Sequence, residues 1–108
     1  MNHQVIQRGS KTVIAMAHVP ALPGAPDYDS QMGMQKLHDW VVRDVEALQT
    51  GGVDAIMFGN EFDRPYVLKA PPEGLAALTA VVTEARNILK VPFGVNYLWD
   101  PVATVALA

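Results

Sequence analysis

Three short apolar runs, each ending in polar residues and followed by a loop and a helix, constrain what this chain can fold into. The runs are Thr12–His18, Asp54–Glu61 and Pro92–Asp100. Continuous apolar runs of this length are typical of strands buried on both faces of a parallel sheet, which needs helical crossovers between its strands. In such sheets the active and binding sites lie beyond the carboxyl ends of the strands. The pattern therefore predicts an α/β fold with its functional groups at one edge of the sheet.

Two complete helices and the start of a third are predicted between and after these strands. The first runs from about Met32 to Gln49 and ends at Gly51-Gly52, because glycine readily takes the left-handed cap conformation. Pro72 suits the first position of the second helix, and Asp100-Pro101 is typical of an N-cap followed by the first helical residue. The apolar stripe of the first helix, with spacings of three and four, consists of Met34, Leu37, Trp40, Val41, Val45 and Leu48.

Two α/β architectures compete for this order of elements. A dinucleotide-binding fold requires Gly-x-Gly-x-x-Gly after the first strand, but the proline-rich segment Pro20–Pro26 occupies that place. A (β/α)8 barrel with polar residues at every strand end fits better, and such a barrel needs about 250 residues. We therefore expect residues 1–108 to be the amino-terminal fragment of a single TIM-barrel domain. It would contain the first three strands, two complete helices and the start of a third.

Composition excludes several classes of protein. Half of the residues are hydrophobic and 18% are charged, which argues against disorder. The formal net charge of -3 argues against a general nucleic-acid binder, which normally has a basic face. Without cysteine there are no disulfides, no thiol catalysis and no thiolate zinc site, and a reducing compartment is permitted. We expect a cytoplasmic protein.

The amino terminus has one feature of a secretory signal, because Arg8 and Lys11 precede an apolar run that contains Ala15–Ala17. His18 and Pro20 interrupt that run, so the first-strand interpretation is preferred. No apolar stretch approaches the roughly 20 residues needed to span a bilayer. The sequence predicts a soluble protein, with peripheral membrane association left open.

Three separated motifs resemble those of the BtpA/SgcQ family. They are His18–Pro26, Gly51–Phe62 and Pro92–Pro101, and the Asn-Glu-Phe segment followed by Pro65-Tyr66 is similar to the SgcQ branch. The resemblance implies a TIM barrel. It further implies either a role in membrane or photosystem I biogenesis, as for the BtpA members, or a role in sugar metabolism, after the gene region that names the SgcQ branch.

Polar side chains at the three strand ends are the candidate catalytic and binding residues. His18 could act as a general acid or base, or instead bond to a neighbouring loop. Glu61 could serve as a base, whereas the adjacent Asn60 would point the opposite way in a regular strand, so only one of them faces the barrel axis. The alternative for this pair is a loop anchor in which Glu61 pairs with Arg64. We predict His18 and Glu61 as catalytic residues.

Four further residues are predicted to bind substrate: Asn60, Arg64, Asn96 and Asp100. Arg64 is a candidate clamp for a phosphate or carboxylate, with a solvated turn as the alternative. Asp100 has a competing role as the cap of the third helix. His18, Glu61 and Asp100 could together hold a divalent ion, but no local ligand spacing supports one, so the metal and any cofactor are unknown. His3 and His38 are expected at the surface.

Three functions remain open. The first is an enzyme acting on a small sugar-like or nucleotide-like substrate, which could carry a phosphate. The second is a non-catalytic biogenesis factor that uses the barrel for docking, and the third is an inactive remnant of a truncated gene. The outer edges of the first and third strands are apolar and carry little charge, a combination that favours association with other chains. We therefore expect a homo-oligomer.

Overall fold

The computed structural model describes residues 5–108, so His3 lies outside the described residues. The elements in chain order are β1 (Ile14–His18), α1 (Gly33–Thr50), β2 (Ala55–Gly59), α2 (Pro72–Arg86), β3 (Phe93–Asn96) and α3 (Pro101–Leu107). The three strands form a parallel sheet in the order β1-β2-β3. The predicted α/β class and the predicted parallel sheet are confirmed.

The two faces of the sheet differ in what covers them. Ala17, Phe58 and Val95 are in register with one another, lie on one face and are buried with the apolar residues of α1 and α2. On the opposite face, which we call the open face, Ile14 and Met16 are each 43% exposed. Burial on both faces was expected. Within residues 5–108 the central strand β2 is largely buried, but alternate residues of β1 are exposed, because the helices pack on one side of the sheet.

The ends of the helices follow local signals closely. Helix α2 begins at Pro72 as predicted, and Asp100 caps α3 by accepting a hydrogen bond from the amide of Ala103. At the end of α1, Gly51 keeps right-handed helical geometry, and Gly52 takes the left-handed conformation with φ of +85°. The glycine pair ends the helix, but only the second residue needs a positive φ.

Two side chains of α1 differ from the sequence prediction. Trp40 belongs to the predicted apolar stripe but is 47% exposed, whereas Leu37 and Val41 are buried. His38, expected at the surface, has a side chain that is only 11% exposed, and its Nδ1 atom lies 3.6 Å from Glu84 of α2. Helix α1 packs against α2 as well as against β1. Its buried surface is therefore rotated away from Trp40 and toward His38.

Candidate functional site

The carboxyl ends of the three strands are level with one another. His18 is in register with Gly59, and Gly59 is in register with Asn96. Residues that pair across parallel strands point to the same face, and this row shares the open face with Met16 and Ile14 because side chains alternate along a strand. The side chains of His18 and Asn96 therefore lie on either side of Gly59, at one edge of the open face.

Glu61 occupies the space that Gly59 leaves. Its Oε1 atom lies 4.0 Å from Nε2 of His18, and a Cβ atom on Gly59 would stand 3.4 Å from the same oxygen. The side chains are 46% exposed for His18 and 25% exposed for Glu61. A distance of 4.0 Å is longer than a direct hydrogen bond, so both groups keep hydrogen-bonding capacity for a ligand that lies beside them. An accessible imidazole beside a carboxylate can move protons to and from a bound ligand.

The loop after β2 holds Glu61 through its main chain. The carbonyl oxygen of Glu61 accepts hydrogen bonds from Nε of Arg64 at 3.2 Å and from the hydroxyl of Tyr66 at 2.7 Å. The same hydroxyl lies 3.3 Å from Oε2 of Glu61. Arg64 is thus bound to the carbonyl group of Glu61, and its side chain reaches the hydroxyl of Tyr66, whose hydrogen bond and charge raise the pKa of the guanidinium.

Asn60 faces the other way and is fully buried. Its Oδ1 atom accepts a hydrogen bond from the amide of Leu98 at 2.7 Å, and its Nδ2 donates to Oδ2 of Asp63 at 3.2 Å. The other carboxylate oxygen of Asp63 accepts from the amide of Leu22 at 2.8 Å. Burial raises the pKa of Asp63, and the hydrogen bonds from Leu22 and Asn60 oppose that rise. Asn60 and Asp63 thus connect the loops that follow all three strands.

Asp100 is also occupied by main-chain hydrogen bonds. Its Oδ1 accepts from the amide of Ala103 at 3.0 Å and its Oδ2 from the amide of Ala70 at 2.7 Å. These two bonds, that of Ala103 first, lower the pKa of the carboxyl group. The side chain therefore joins the start of α3 to the loop before α2, and it does not lie beside His18 and Glu61.

Metal binding has little support in the part of the chain that the structure describes. Among residues 5–108, no three His, Asp or Glu side chains come together as a metal site would require. The divalent-ion hypothesis placed His18, Glu61 and Asp100 in one group. The structure brings the first two together and separates the third.

Two residues that sequence reasoning did not select are prominent at this edge. Tyr66 contacts Glu61 through its hydroxyl, and its ring packs edge-on against Trp99, with centroids 5.2 Å apart. Tyr97 is buried on the helix-facing side and lines a cleft of about 40 Å³ together with Asp63. The available sequence signal for Tyr66 was the Pro65-Tyr66 pair, which belongs to the segment similar to the SgcQ branch. Burial of Tyr97 follows from strand alternation after Asn96.

Comparison with known proteins places these features in a family. The model of the BtpA family matches residues 9–108. The putative sgc region protein SgcQ of Escherichia coli (strain K12) is 51% identical over 98 residues, which are 91% of this chain and 37% of that protein. An uncharacterized protein of Archaeoglobus fulgidus is 33% identical over 99 residues, 91% of this chain and 39% of that protein.

A more distant relative has a functional name. The photosystem I biogenesis protein BtpA of Synechocystis sp. is 29% identical over 87 residues, 80% of this chain and 30% of that protein. The chain thus spans between three and four tenths of the length of these relatives. No solved structure matches it. Within residues 5–108, no helix is long and apolar enough to cross a membrane.

Proposed function

Because the chain belongs to the BtpA family, we propose that its three strands are the first three of a (β/α)8 barrel and that their carboxyl edge is part of an active site. The parallel order β1-β2-β3, with a helix after each strand, is the repeating unit of such a barrel. The open face would be the barrel interior, which side chains from all strands fill. The exposed Ile14 and Met16 are suitable interior residues.

The barrel proposal has a consequence for the isolated chain. The open face and the outer edges of β1 and β3 expose apolar side chains, among them Met16 and Phe93, and exposed strand edges pair readily with other chains. We expect the purified 108-residue chain to self-associate in size-exclusion chromatography with light scattering. A stable monomer at tens of micromolar would favour a self-sufficient small domain and contradict the barrel proposal.

The proposed activity is acid-base chemistry on a small sugar-like or nucleotide-like substrate, with or without a phosphate. The approach of His18 to within 4.0 Å of Glu61, at the carboxyl edge of a parallel sheet, carries this proposal. Glu61 would take a proton from a substrate hydroxyl or carbon, and His18 would supply one. Asn96, on the same face, would orient the substrate, and the guanidinium of Arg64 would bind a phosphate or carboxylate group.

A panel of monosaccharides, sugar phosphates and nucleotides tests the proposal by native mass spectrometry of the chain. We expect at least one member to bind, and we expect His18→Gln and Glu61→Gln to weaken that binding. Arg64→Ala should selectively weaken the binding of phosphorylated ligands. Glu46→Gln, on the exposed side of α1, is the matched control for loss of a carboxylate. Failure of the whole panel to bind, or equal binding by all variants, would contradict the proposal.

One observation favours a non-catalytic docking role as the second candidate. The loops at this edge expose large apolar side chains, with Leu68 at 80% and Phe62 at 47% exposure. Large exposed apolar side chains mark a protein-binding surface where they form one patch. Leu68→Ser would abolish partner binding under this hypothesis. It would leave metabolite binding unchanged under the first, so one variant separates the two candidates.

A further inference from the structure

Trp99 is the largest side chain at the carboxyl edge and is 59% exposed. Its main chain is held by a hydrogen bond that its amide donates to the carbonyl of Val67 at 3.1 Å. The preceding amide, that of Leu98, donates to the buried side chain of Asn60. The ring of Tyr66 packs against the indole from one side. An indole that packs against Tyr66 on one side and is otherwise exposed offers a flat apolar surface to a ligand.

A continuous row of contacts connects this indole to the proposed acid-base pair. Trp99 contacts Tyr66 at a centroid distance of 5.2 Å, the hydroxyl of Tyr66 lies 3.3 Å from Oε2 of Glu61, and Oε1 of Glu61 lies 4.0 Å from His18. A ligand that covers the exposed indole is therefore separated from Glu61 by the side chain of Tyr66, and a ring with hydroxyl groups on its rim can reach past it. Asn96, at the end of the same strand that leads to Trp99, adds an amide on the open face.

The charges at this edge indicate what kind of ring the indole would receive. The carboxylate of Glu61 is accompanied by the guanidinium of Arg64, whose Nε donates a hydrogen bond to the main-chain carbonyl of Glu61. A ligand therefore need not bring a positive charge to balance Glu61. The remaining groups are acceptors and donors suited to hydroxyls: a carboxylate, an imidazole and an amide.

We infer that Trp99 is a stacking platform for a neutral hydroxylated ring, such as a pyranose, whose hydroxyl groups bind Glu61 and Asn96. The apolar C–H face of such a ring would cover the indole, while its rim of hydroxyls would reach the polar side chains. Tyr66 is a positioning residue in this arrangement, because it supports the indole with its ring and the carboxylate of Glu61 with its hydroxyl. The inference rests on the proposed function for the identity of the site, and it names the class of ligand.

The chain contains two tryptophans, Trp40 on α1 and Trp99 at this edge, so fluorescence can report on each separately. Trp40→Phe leaves Trp99 as the reporter, and Trp99→Phe leaves Trp40, which lies among Lys36 and Arg43 and serves as the matched control. Each variant is titrated with glucose, galactose and mannose, with adenosine, and with inorganic phosphate. Circular dichroism of both variants checks that they are folded.

We expect the hexoses to change the fluorescence of the Trp40→Phe variant saturably and to leave that of the Trp99→Phe variant unchanged. Adding Glu61→Gln to the Trp40→Phe background should weaken hexose binding about tenfold or more, as expected for the loss of a hydrogen bond to a charged group. Tyr66→Phe should also weaken hexose binding, and the fluorescence change at saturation should remain.

Three results would overturn the inference: equal responses of the two reporters, a response to adenosine without one to any hexose, or a response to phosphate alone. These results differ from a failure of the proposed function. The fluorescence change reports stacking on Trp99, whereas the acid-base role of His18 is tested by His18→Gln. If hexoses still stack on Trp99 in His18→Gln with unchanged affinity, the result supports the stacking platform and contradicts the acid-base role of His18.

Discussion

Two groups of polar side chains lie at the same edge of one sheet and differ in their hydrogen bonding. Asn60, Asp63 and Asp100 are each at most 8% exposed, and their side-chain oxygens accept hydrogen bonds from main-chain amides of this chain. His18 and Glu61 are accessible and face each other without a direct hydrogen bond. The first group, which we call the buried network, fixes the loops. The second, the open pair, retains the capacity to bind something else.

The difference between neighbours in sequence is instructive. Asn60 and Glu61 are adjacent, yet one is enclosed by the loops after all three strands and the other reaches the open face beside His18. Residue type alone predicts a binding role for both. Strand alternation separates them, and the count of internal hydrogen bonds then distinguishes a structural role from a chemical one.

The largest expected effect comes from removing the centre of the buried network. Asn60→Ala leaves the amide of Leu98 without its partner and removes one of the two hydrogen bonds that the carboxylate of Asp63 accepts, both in a buried environment. We expect the free energy of unfolding to fall by about 2–4 kcal/mol, the range for an unsatisfied buried network. Urea unfolding followed by circular dichroism measures it. Asn96→Ala, the same change on the open face, is the control and should cost less than about 0.5 kcal/mol. Equal losses for the two variants would contradict the comparison.

Removing the cap of α3 should have the next largest effect on stability. Asp100→Ala frees the amides of Ala103 and Ala70, and we expect the thermal midpoint to fall by several degrees. Asp100→Asn, which can still accept hydrogen bonds at the N-cap, should recover most of that loss. Glu46→Ala on the exposed side of α1 should change the midpoint little. If Asp100→Asn is as unstable as Asp100→Ala, the charge and not the cap is what matters.

Tyr97 lies next to the buried network, and its contribution to stability should depend on pH. Burial first, and then the carboxylates of Asp63, Glu73 and Asp100, raise the pKa of Tyr97 to about 12 from its ordinary value of 10.0. Between these two values the unfolded chain releases the phenolic proton while the folded chain keeps it. This contribution to stability is therefore fully present below pH 10 and is lost as the pH rises toward 12.

We expect urea midpoints of the wild-type chain to fall over that interval, and we expect the fall to be shallower in Tyr97→Phe. Tyr28→Phe, the same change at a tyrosine on the edge of the core, is the matched control for the loss of a phenolic hydroxyl. A Tyr97→Phe chain with the full wild-type slope would show that other groups cause the alkaline loss.

Much of the fold could be predicted from local signals. The glycine pair after α1, Pro72 at the start of α2 and Asp100-Pro101 at the start of α3 each act within a few residues, and the structure confirms the helix boundaries that they indicate. The position of Trp40 could not be predicted in this way. Its exposure depends on how α1 packs between β1 and α2, and helical periodicity does not contain that information.

The candidate site was predictable in its position more than in its contacts. Strand ends located His18, Glu61 and Asn96, because parallel strands bring their carboxyl ends to one edge. The buried role of Asn60 depends on the amide of Leu98, which is 38 residues away along the chain. The contact of Tyr66 with Glu61 depends on the conformation of the loop between β2 and α2, which no periodic pattern describes. Local sequence patterns do not predict long-range hydrogen bonds of this kind.

The smallest expected effect on stability is the most direct test of the comparison. His18→Gln and Glu61→Gln should each change the free energy of unfolding by less than about 0.5 kcal/mol, since an accessible pair 4.0 Å apart contributes little to stability. Their double variant should be additive within the error of urea unfolding. If either variant instead destabilises the chain as strongly as Asn60→Ala, the open pair holds the edge together. Its exposure would then give no support to a chemical role. Near-zero losses combined with weakened ligand binding would mean that the chain keeps two accessible ionisable groups at no structural gain, which is the expected property of residues that act on a substrate.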